Sequence, residues 1–100
     1  MNGSFQWLNK QGVASSAGFV LQSMHRYFYH YVEGPRLLKV IVEPCRDATT
    51  GVYYEEISGA SLQAWSQPSG AVLSEHEQVR VRSNVEAALT FMGIEHRFVP

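Results

Sequence analysis

Four segments rich in β-branched and aromatic residues follow one another in the first half of the chain. Side chains of these types pack well on a pleated surface, so each segment is typical of a β-strand. The segments are residues 19–21, 26–32, 37–42 and 52–54. The pattern therefore predicts four successive strands.

The stretch Glu33-Gly34-Pro35-Arg36 predicts a hairpin turn, because Gly tolerates positive φ and Pro cannot donate to a ladder. With an even loop Val32 pairs with Leu37, which gives the hairpin two faces. The face expected in the core holds Tyr27, Tyr29, Tyr31, Leu38, Val40 and Val42. The second face holds Phe28, His30, Val32, Leu37, Lys39 and Ile41. This second face is too apolar for a plain solvated surface, so we expect the N-terminal segment or a partner to cover it.

The strongest helix signal begins at Ser74, which forms a capping box with Glu77. An apolar stripe at helical spacing follows, made of Val81, Val85, Ala88, Leu89 and Met92. Gly93 then favours a left-handed C-cap, and residues 94–99 alternate as a terminal strand would. The expected fold is α+β, an antiparallel meander of four or five strands packed by one long C-terminal helix. The inward face of the strand at residues 52–57 stays open, because the loop before it can absorb a one-residue slip.

The chain has 100 residues, which is enough for one hydrophobic core. Residues 1–18 are rich in small polar side chains and contain few large apolar ones, so they predict an N-terminal arm. Residues 19–100 are expected to form a single α+β domain.

Charge and cysteine content narrow the classes of function. Lys and Arg number 8 against 9 Asp and Glu, so the excess positive charge that drives binding to nucleic acid or to a membrane surface is missing. Cys45 is the sole cysteine, which excludes an intrachain disulfide and fits a reducing compartment. No basic segment followed by an apolar run is found at the start. We expect a cytoplasmic protein with no membrane association.

Candidate catalytic groups lack the spacing that their chemistry needs. The four histidines are His25, His30, His76 and His96. None has a second metal ligand two residues away on a strand or four residues away on a helix, which argues against a metal site. Cys45 has no histidine in its own segment to act as a base. No nucleophile elbow or phosphate-binding loop is present. We therefore expect no catalytic residues, no metal, no cofactor and no enzyme.

Two binding hypotheses remain. Acidic residues at strand ends would bind a basic protein partner if they cluster in space; they are Glu33, Glu43, Glu55 and Glu56. Trp65 either fills the core or joins them as an anchor of the interface. Simple solvation explains the same carboxylates. Alternatively, Phe28, His30 and Lys39 on the second hairpin face predict a module for a small ligand or nucleic acid. The missing basic groove makes nucleic acid the weaker of these ligands.

Short motifs along most of the chain resemble those of a family of small bacterial proteins, predicted to be immunity proteins of polymorphic toxin systems. They are Gly12-Val13-x-Ser15-Ser16-x-Gly18-Phe19, Tyr31-x-Glu33-Gly34-x-Arg36-x-Leu38, Val42-Glu43, Leu62-x-x-Trp65, Ser74-Glu75 and Ala87-Ala88-Leu89-x-Phe91-x-Gly93. The resemblance implies a cytoplasmic α+β protein that binds a protein, such as a secreted toxin domain, and blocks it. It carries over no catalytic residues. The surplus of apolar surface also leaves room for a homodimer.

Overall fold

Seven strands pair in chain order to form one sheet in the computed structural model, which describes residues 2–100. A 3-10 helix at Gly59–Leu62 and the long helix α1 at Glu75–Phe91 lie between the last two strands. The strands are β1 (Phe5–Asn9), β2 (Gly12–Ser15), β3 (Phe19–His25), β4 (Phe28–Glu33), β5 (Arg36–Arg46), β6 (Tyr53–Ser58) and β7 (His96–Val99). The expected α+β class with one C-terminal helix is confirmed, but the sheet is larger than the four or five strands expected.

The additional strands come from the segment expected to be an arm. Over residues 2–18, which the structure describes, β1 and β2 form a hairpin that joins the sheet through pairing of Val13 with Leu21. Val13 is fully buried, and the Phe5 ring packs edge-on to Phe19. Two apolar anchors therefore suffice for short strands, because β3 supplies the backbone partners that a free arm would lack.

The last strand also departs from the expected meander. Strands β1 to β6 pair antiparallel, whereas β7 runs parallel to β6, with Ile57 opposite Phe98. A parallel neighbour needs a crossover connection, and α1 supplies it by returning the chain to the end of the sheet where β6 begins.

The β4–β5 hairpin has the expected register. Val32 pairs with Leu37 and Tyr31 with Leu38, and Gly34 takes a φ of 59° in the two-residue turn. Tyr27 is the exception among the expected core residues: it lies just before β4 and is 47% exposed. Its carbonyl still accepts from the N–H of Val42, but the bulge at the end of β3 turns the chain there away from the core.

The helix α1 begins and ends where the sequence predicts. The Glu77 amide donates to Ser74 Oγ at 3.1 Å, and the Ser74 amide donates to Glu77 Oε1 at 2.9 Å. Gly93 follows the helix with a φ of 76°. Four residues of the apolar stripe are buried in the core: Val81, Val85, Ala88 and Leu89. Met92, the last residue of the stripe, is partly buried and packs against them.

Strand β5 is longer than its neighbours and joins two ladders. Its first half, up to Ile41, pairs with β4, and its second half, from Val42, pairs with β6. The 3-10 helix and the loop after it satisfy the free side of the first half: the Ile41 amide donates to Ser61 Oγ of the 3-10 helix at 3.1 Å, and the Leu37 amide donates to the Gln67 carbonyl of the loop at 2.9 Å. Ile57 is fully buried opposite Val42, so the odd-numbered residues of β6 face the core side.

Within residues 2–100, no helix combines the length and the apolar character that crossing a membrane requires.

Candidate protein-binding face

The face of the sheet opposite α1, called the open face here, is built from rows of side chains that the strand register aligns. One row is entirely apolar and crosses four strands, because each member pairs directly with the next: Ala14, Val20, Val32 and Leu37. Side chains on directly opposed positions lie about 4.5–5.5 Å apart at Cβ, so this row forms a continuous apolar ridge.

The next two rows alternate in polarity. Gln22 pairs with His30 and His30 with Lys39, which gives a polar row beside the apolar ridge. Phe28 pairs with Ile41 in the row beyond. The Lys39 ammonium lies 4.5 Å from the centroid of the Phe28 ring, so it occupies one face of that aromatic ring. The sequence-predicted ligand residues Phe28, His30 and Lys39 are therefore brought together by the structure.

A charged row crosses the far end of the open face. Glu43 is directly opposite Glu56, and Glu56 in turn is aligned with Arg97 on β7. Like charges directly opposite each other destabilise a sheet, so this pair is a cost that the fold tolerates. The Arg97 guanidinium also lies 3.8 Å from the centroid of the Tyr54 ring and pairs with Asp47 at 2.9 Å.

The open face is accessible among the residues that the structure describes. Helix α1 packs on the other side of the sheet, where Asn84 donates to the Tyr31 hydroxyl at 3.0 Å. Ile41 is 40% exposed, Lys39 and Glu43 are exposed, and the apolar ridge is half-buried by its own neighbours. The accessible surface therefore combines apolar rows with a polar row between them and a charged row at one end.

Two of the four predicted acidic residues lie on the helix side instead. The Tyr29 hydroxyl donates to Glu55 Oε1 at 2.8 Å, and the Tyr31 hydroxyl donates to Glu33 Oε2 at 2.6 Å. Burial and the neighbouring carboxylates raise the pKa of both tyrosines well above its ordinary value. The parity of the strands explains the split, since Glu55 and Glu56 are adjacent and must point to opposite faces. The four carboxylates therefore do not form one cluster.

Glu33 is part of the contact between sheet and helix. Arg80 of α1 donates to it through Nε at 3.2 Å and through a terminal nitrogen at 2.5 Å. Burial alone would raise the pKa of Glu33, but the hydrogen bonds from Arg80 and Tyr31 together lower it. Glu33 thus stabilises the packing of α1 and is not free to bind a partner.

Trp65 is a core residue, which removes it from the predicted binding surface. Its side chain is 3% exposed, and its ring lies 6.4 Å from that of Tyr31, measured between centroids. The indole Nε1 is buried without a hydrogen-bond partner. Trp65 closes the core beside the first half of β5, which has no strand neighbour on the side away from β4. The Arg36 guanidinium packs over the Trp65 ring, 5.4 Å from its centroid.

Cys45 lies on the open face opposite Tyr54, and its surroundings disfavour the thiolate. Desolvation and the Glu56 carboxylate raise the pKa of the Cys45 thiol. Asp47 in the following loop behaves in the opposite way, because its hydrogen bond with Arg97 and those from the backbone lower its pKa to about 2. A thiol with a raised pKa is a poor nucleophile, so nothing in this geometry activates Cys45.

Within residues 2–100, no three or more His, Cys, Asp or Glu side chains are grouped in a way that could hold a metal ion. Clefts of about 440 Å³ and 340 Å³ lie at the start of α1 and between β1 and the end of α1. Phe28, His30 and Lys39 line neither cleft.

Sequence reasoning anticipated the residues of the hairpin but missed how far the open face extends. Ala14 and Val20 continue the apolar ridge beyond Val32, and only the pairing of β2 with β3 aligns them. The signal available in the sequence was the alternation around Val13, which is too short to predict a strand on its own.

Comparison with known proteins does not assign the chain to a family. The sequence matches no protein-family model, and neither curated proteins nor solved structures give a significant match.

Proposed function

We propose that this chain is a protein-binding domain without enzymatic activity, and that it neutralises a toxin domain by direct binding. The observation that supports the proposal is the uncovered open face, in which the ridge from Ala14 to Leu37 and the Phe28–Ile41 pair present apolar surface beside charged residues. A binding protein of this kind works by surface complementarity. The resemblance to immunity proteins motivates the choice of a toxin as partner.

The chemistry of the open face specifies the partner's surface. An apolar ridge on the partner would pack along the row formed by Val20, Val32 and Leu37. A Lys or Arg side chain of the partner would lie at the Glu43–Glu56 pair, where two carboxylates are directly opposed and Glu43 is exposed. The partner surface is therefore apolar with at least one cationic group at its margin.

Binding of a small ligand or nucleic acid is the less favoured function. Base stacking needs a free aromatic face, and the Phe28 ring already has the Lys39 ammonium over it and the His25 ring stacked with it at 5.7 Å between centroids. The carboxylates of Glu43 and Glu56 at the same face would repel a phosphate backbone.

The test is affinity capture from an extract of the native host, with wild type compared with Ile41→Glu. This substitution places a charge in an exposed position of the open face and should abolish retention of the partner protein. The matched control is Val79→Glu, an exposed valine on α1 that is 71% accessible, and it should retain the partner as wild type does. Equal retention by both variants, or capture of RNA or a small molecule without a protein, would contradict the proposal.

A second step tests neutralisation. The captured protein, expressed alone in a laboratory bacterium, should stop growth, and co-expression of the wild-type chain should restore it. Glu43→Lys together with Glu56→Lys should weaken rescue, because the reversed charges repel the partner's cationic group. A captured protein that is harmless when expressed alone would remove the toxin from the proposal and leave only protein binding.

A further inference from the structure

The two edges of the sheet differ in how they are protected. At one edge, β7 carries Arg97, which pairs with Asp47, and Pro100 follows the strand directly. At the other edge, β1 pairs only with β2, and residues 2–9 contain no charged side chain. Natural proteins usually protect an edge strand with charges, proline or a covering element, because its unpaired backbone groups bind other strands. β1 has a bulge near its end, between Trp7 and Asn9, as its only such feature among the described residues.

The hydrogen bonds of the β1–β2 hairpin show which backbone groups of β1 are free. The Ser16 amide donates to the Ser4 carbonyl at 2.9 Å, just before β1. The backbone N–H and C=O groups that point toward β2 are therefore those of Ser4 and, two residues on, Gln6. In an antiparallel ladder, the backbone N–H and C=O groups of every second residue point away from the partner strand. The N–H and C=O groups of Phe5 and Trp7 therefore point out of the sheet edge.

The side chains at this edge add apolar area to the free backbone. Phe5 and Trp7 both pack on Phe91 at the end of α1, with ring centroids 5.4 Å and 5.7 Å from it. Trp7 is 47% exposed, Phe91 43% and Leu8 55%. An extended, uncharged strand beside an exposed aromatic cluster is suited to strand addition, in which main-chain bonds give affinity and side chains give specificity.

We propose that β1 pairs with β1 of a second copy of this chain, antiparallel and centred on Gln6. In this register Phe5 of each copy lies opposite Trp7 of the other, and each pair exchanges both of its hydrogen bonds through the groups that point outward. The two aromatic clusters around Phe91 then meet on the helix side. Because the strand is uncharged, the two-fold pairing brings no like charges together.

A second copy suits this edge better than an unrelated strand, because pairing about Gln6 places the aromatic residues Phe5 and Trp7 opposite each other twice and opposes no charge. The two-fold axis stands perpendicular to the sheet, so both helices lie on one side and both open faces on the other. The dimer therefore presents two copies of the open face in one direction. If the proposed function holds, a partner with two matching sites would bind with increased avidity. The dimer itself does not depend on that function.

Charge substitution at Gln6 tests the register. Gln6 is exposed and would lie directly opposite its own copy, so Gln6→Lys or Gln6→Glu places like charges at that contact. Each variant should raise the dimer dissociation constant about fivefold in analytical ultracentrifugation, and an equimolar mixture of the two should restore dimerisation. The matched control is Gln63→Lys, an exposed glutamine beside the 3-10 helix, which should dimerise as wild type does.

Three results would overturn the proposal: a wild-type chain that is monomeric up to sub-millimolar concentration, a dimer that neither Gln6 variant weakens, or a mixture that does not recover. Circular dichroism establishes that the variants remain folded. If either variant unfolds, Gln6→Cys in a Cys45→Ser background replaces it. On oxidation this variant should form an interchain disulfide, whereas Gln63→Cys in the same background should not; equal cross-linking of the two would also overturn the proposal.

Discussion

The two sides of the β4–β5 hairpin are made from alternate residues of the same strands, yet they have different properties. On the helix side Tyr29, Tyr31, Leu38 and Val40 are almost completely buried, and the two tyrosine hydroxyls have hydrogen-bond partners. On the open face the intervening residues are half-buried or exposed, and polar rows alternate with apolar ones. The difference shows which apolar residues the fold itself needs.

An apolar side chain on the helix side is explained by core packing, whereas one on the open face is not. Leu37 and Leu38 are adjacent and chemically identical, and only Leu38 is fully buried. The apolar residues of the open face are thus the surplus that a binding surface can use. Three further predictions test this contrast, in addition to the binding and dimerisation experiments above.

The largest effect is expected from a pair of leucine substitutions. Leu38→Ala should lower the free energy of unfolding by about 3 kcal/mol, because it removes a fully buried side chain and leaves a cavity. Leu37→Ala should cost only about 1 kcal/mol, since its side chain is half-buried in the ridge. Urea unfolding monitored by circular dichroism measures both. Losses of similar size would mean that the open face belongs to the core.

The buried hydroxyl of Tyr31 should give a smaller effect. Tyr31→Phe removes a donor to Glu33 and an acceptor for Asn84, which is 5% exposed, and should cost about 1–2 kcal/mol. The control is Tyr27→Phe at the exposed end of the hairpin, which should stay within about 0.5 kcal/mol of wild type in the same unfolding measurement. If the two variants are equally stable, the hydrogen-bond network does not stabilise the helix side.

The dependence of stability on acid should be the mildest effect. Folding lowers the pKa of Glu33 below its usual 4.5. It also lowers the pKa of Asp47, from 3.8 to about 2. Below neutral pH the unfolded chain therefore binds more protons, and stability falls as pH drops from about 5 to about 2. Glu33→Gln should flatten this decline, measured as the melting temperature against pH. Arg80→Gln should flatten it too, because Arg80 holds the carboxylate ionised. A decline as steep as in wild type would exclude this ion pair as its cause.

The parts of the fold that the sequence predicted are those decided by neighbours along the chain. The turn at Gly34 and Pro35 determines which residues of β4 and β5 face each other, and the capping box at Ser74 determines where α1 begins. Both depend on backbone conformation and hydrogen bonds within a few residues, which a sequence pattern records directly.

The candidate site was predicted in part. Phe28, His30 and Lys39 lie together because they share one hairpin. Glu43 and Glu56 come from different strands, and their opposition depends on the β5–β6 register across a long loop. The same register sends Glu55 to the helix side, and the loop after the 3-10 helix buries Trp65. No local signal distinguishes these outcomes.

The sequence by itself determined the α+β class, the hairpin and the limits of the helix, because these follow from side-chain periodicity and local hydrogen bonding. The tertiary structure alone decided that β1 and β2 join the sheet, that β7 runs parallel to β6, and that the apolar ridge crosses four strands. These features depend on pairing between distant segments, where the backbone partner and not the local composition makes a strand stable.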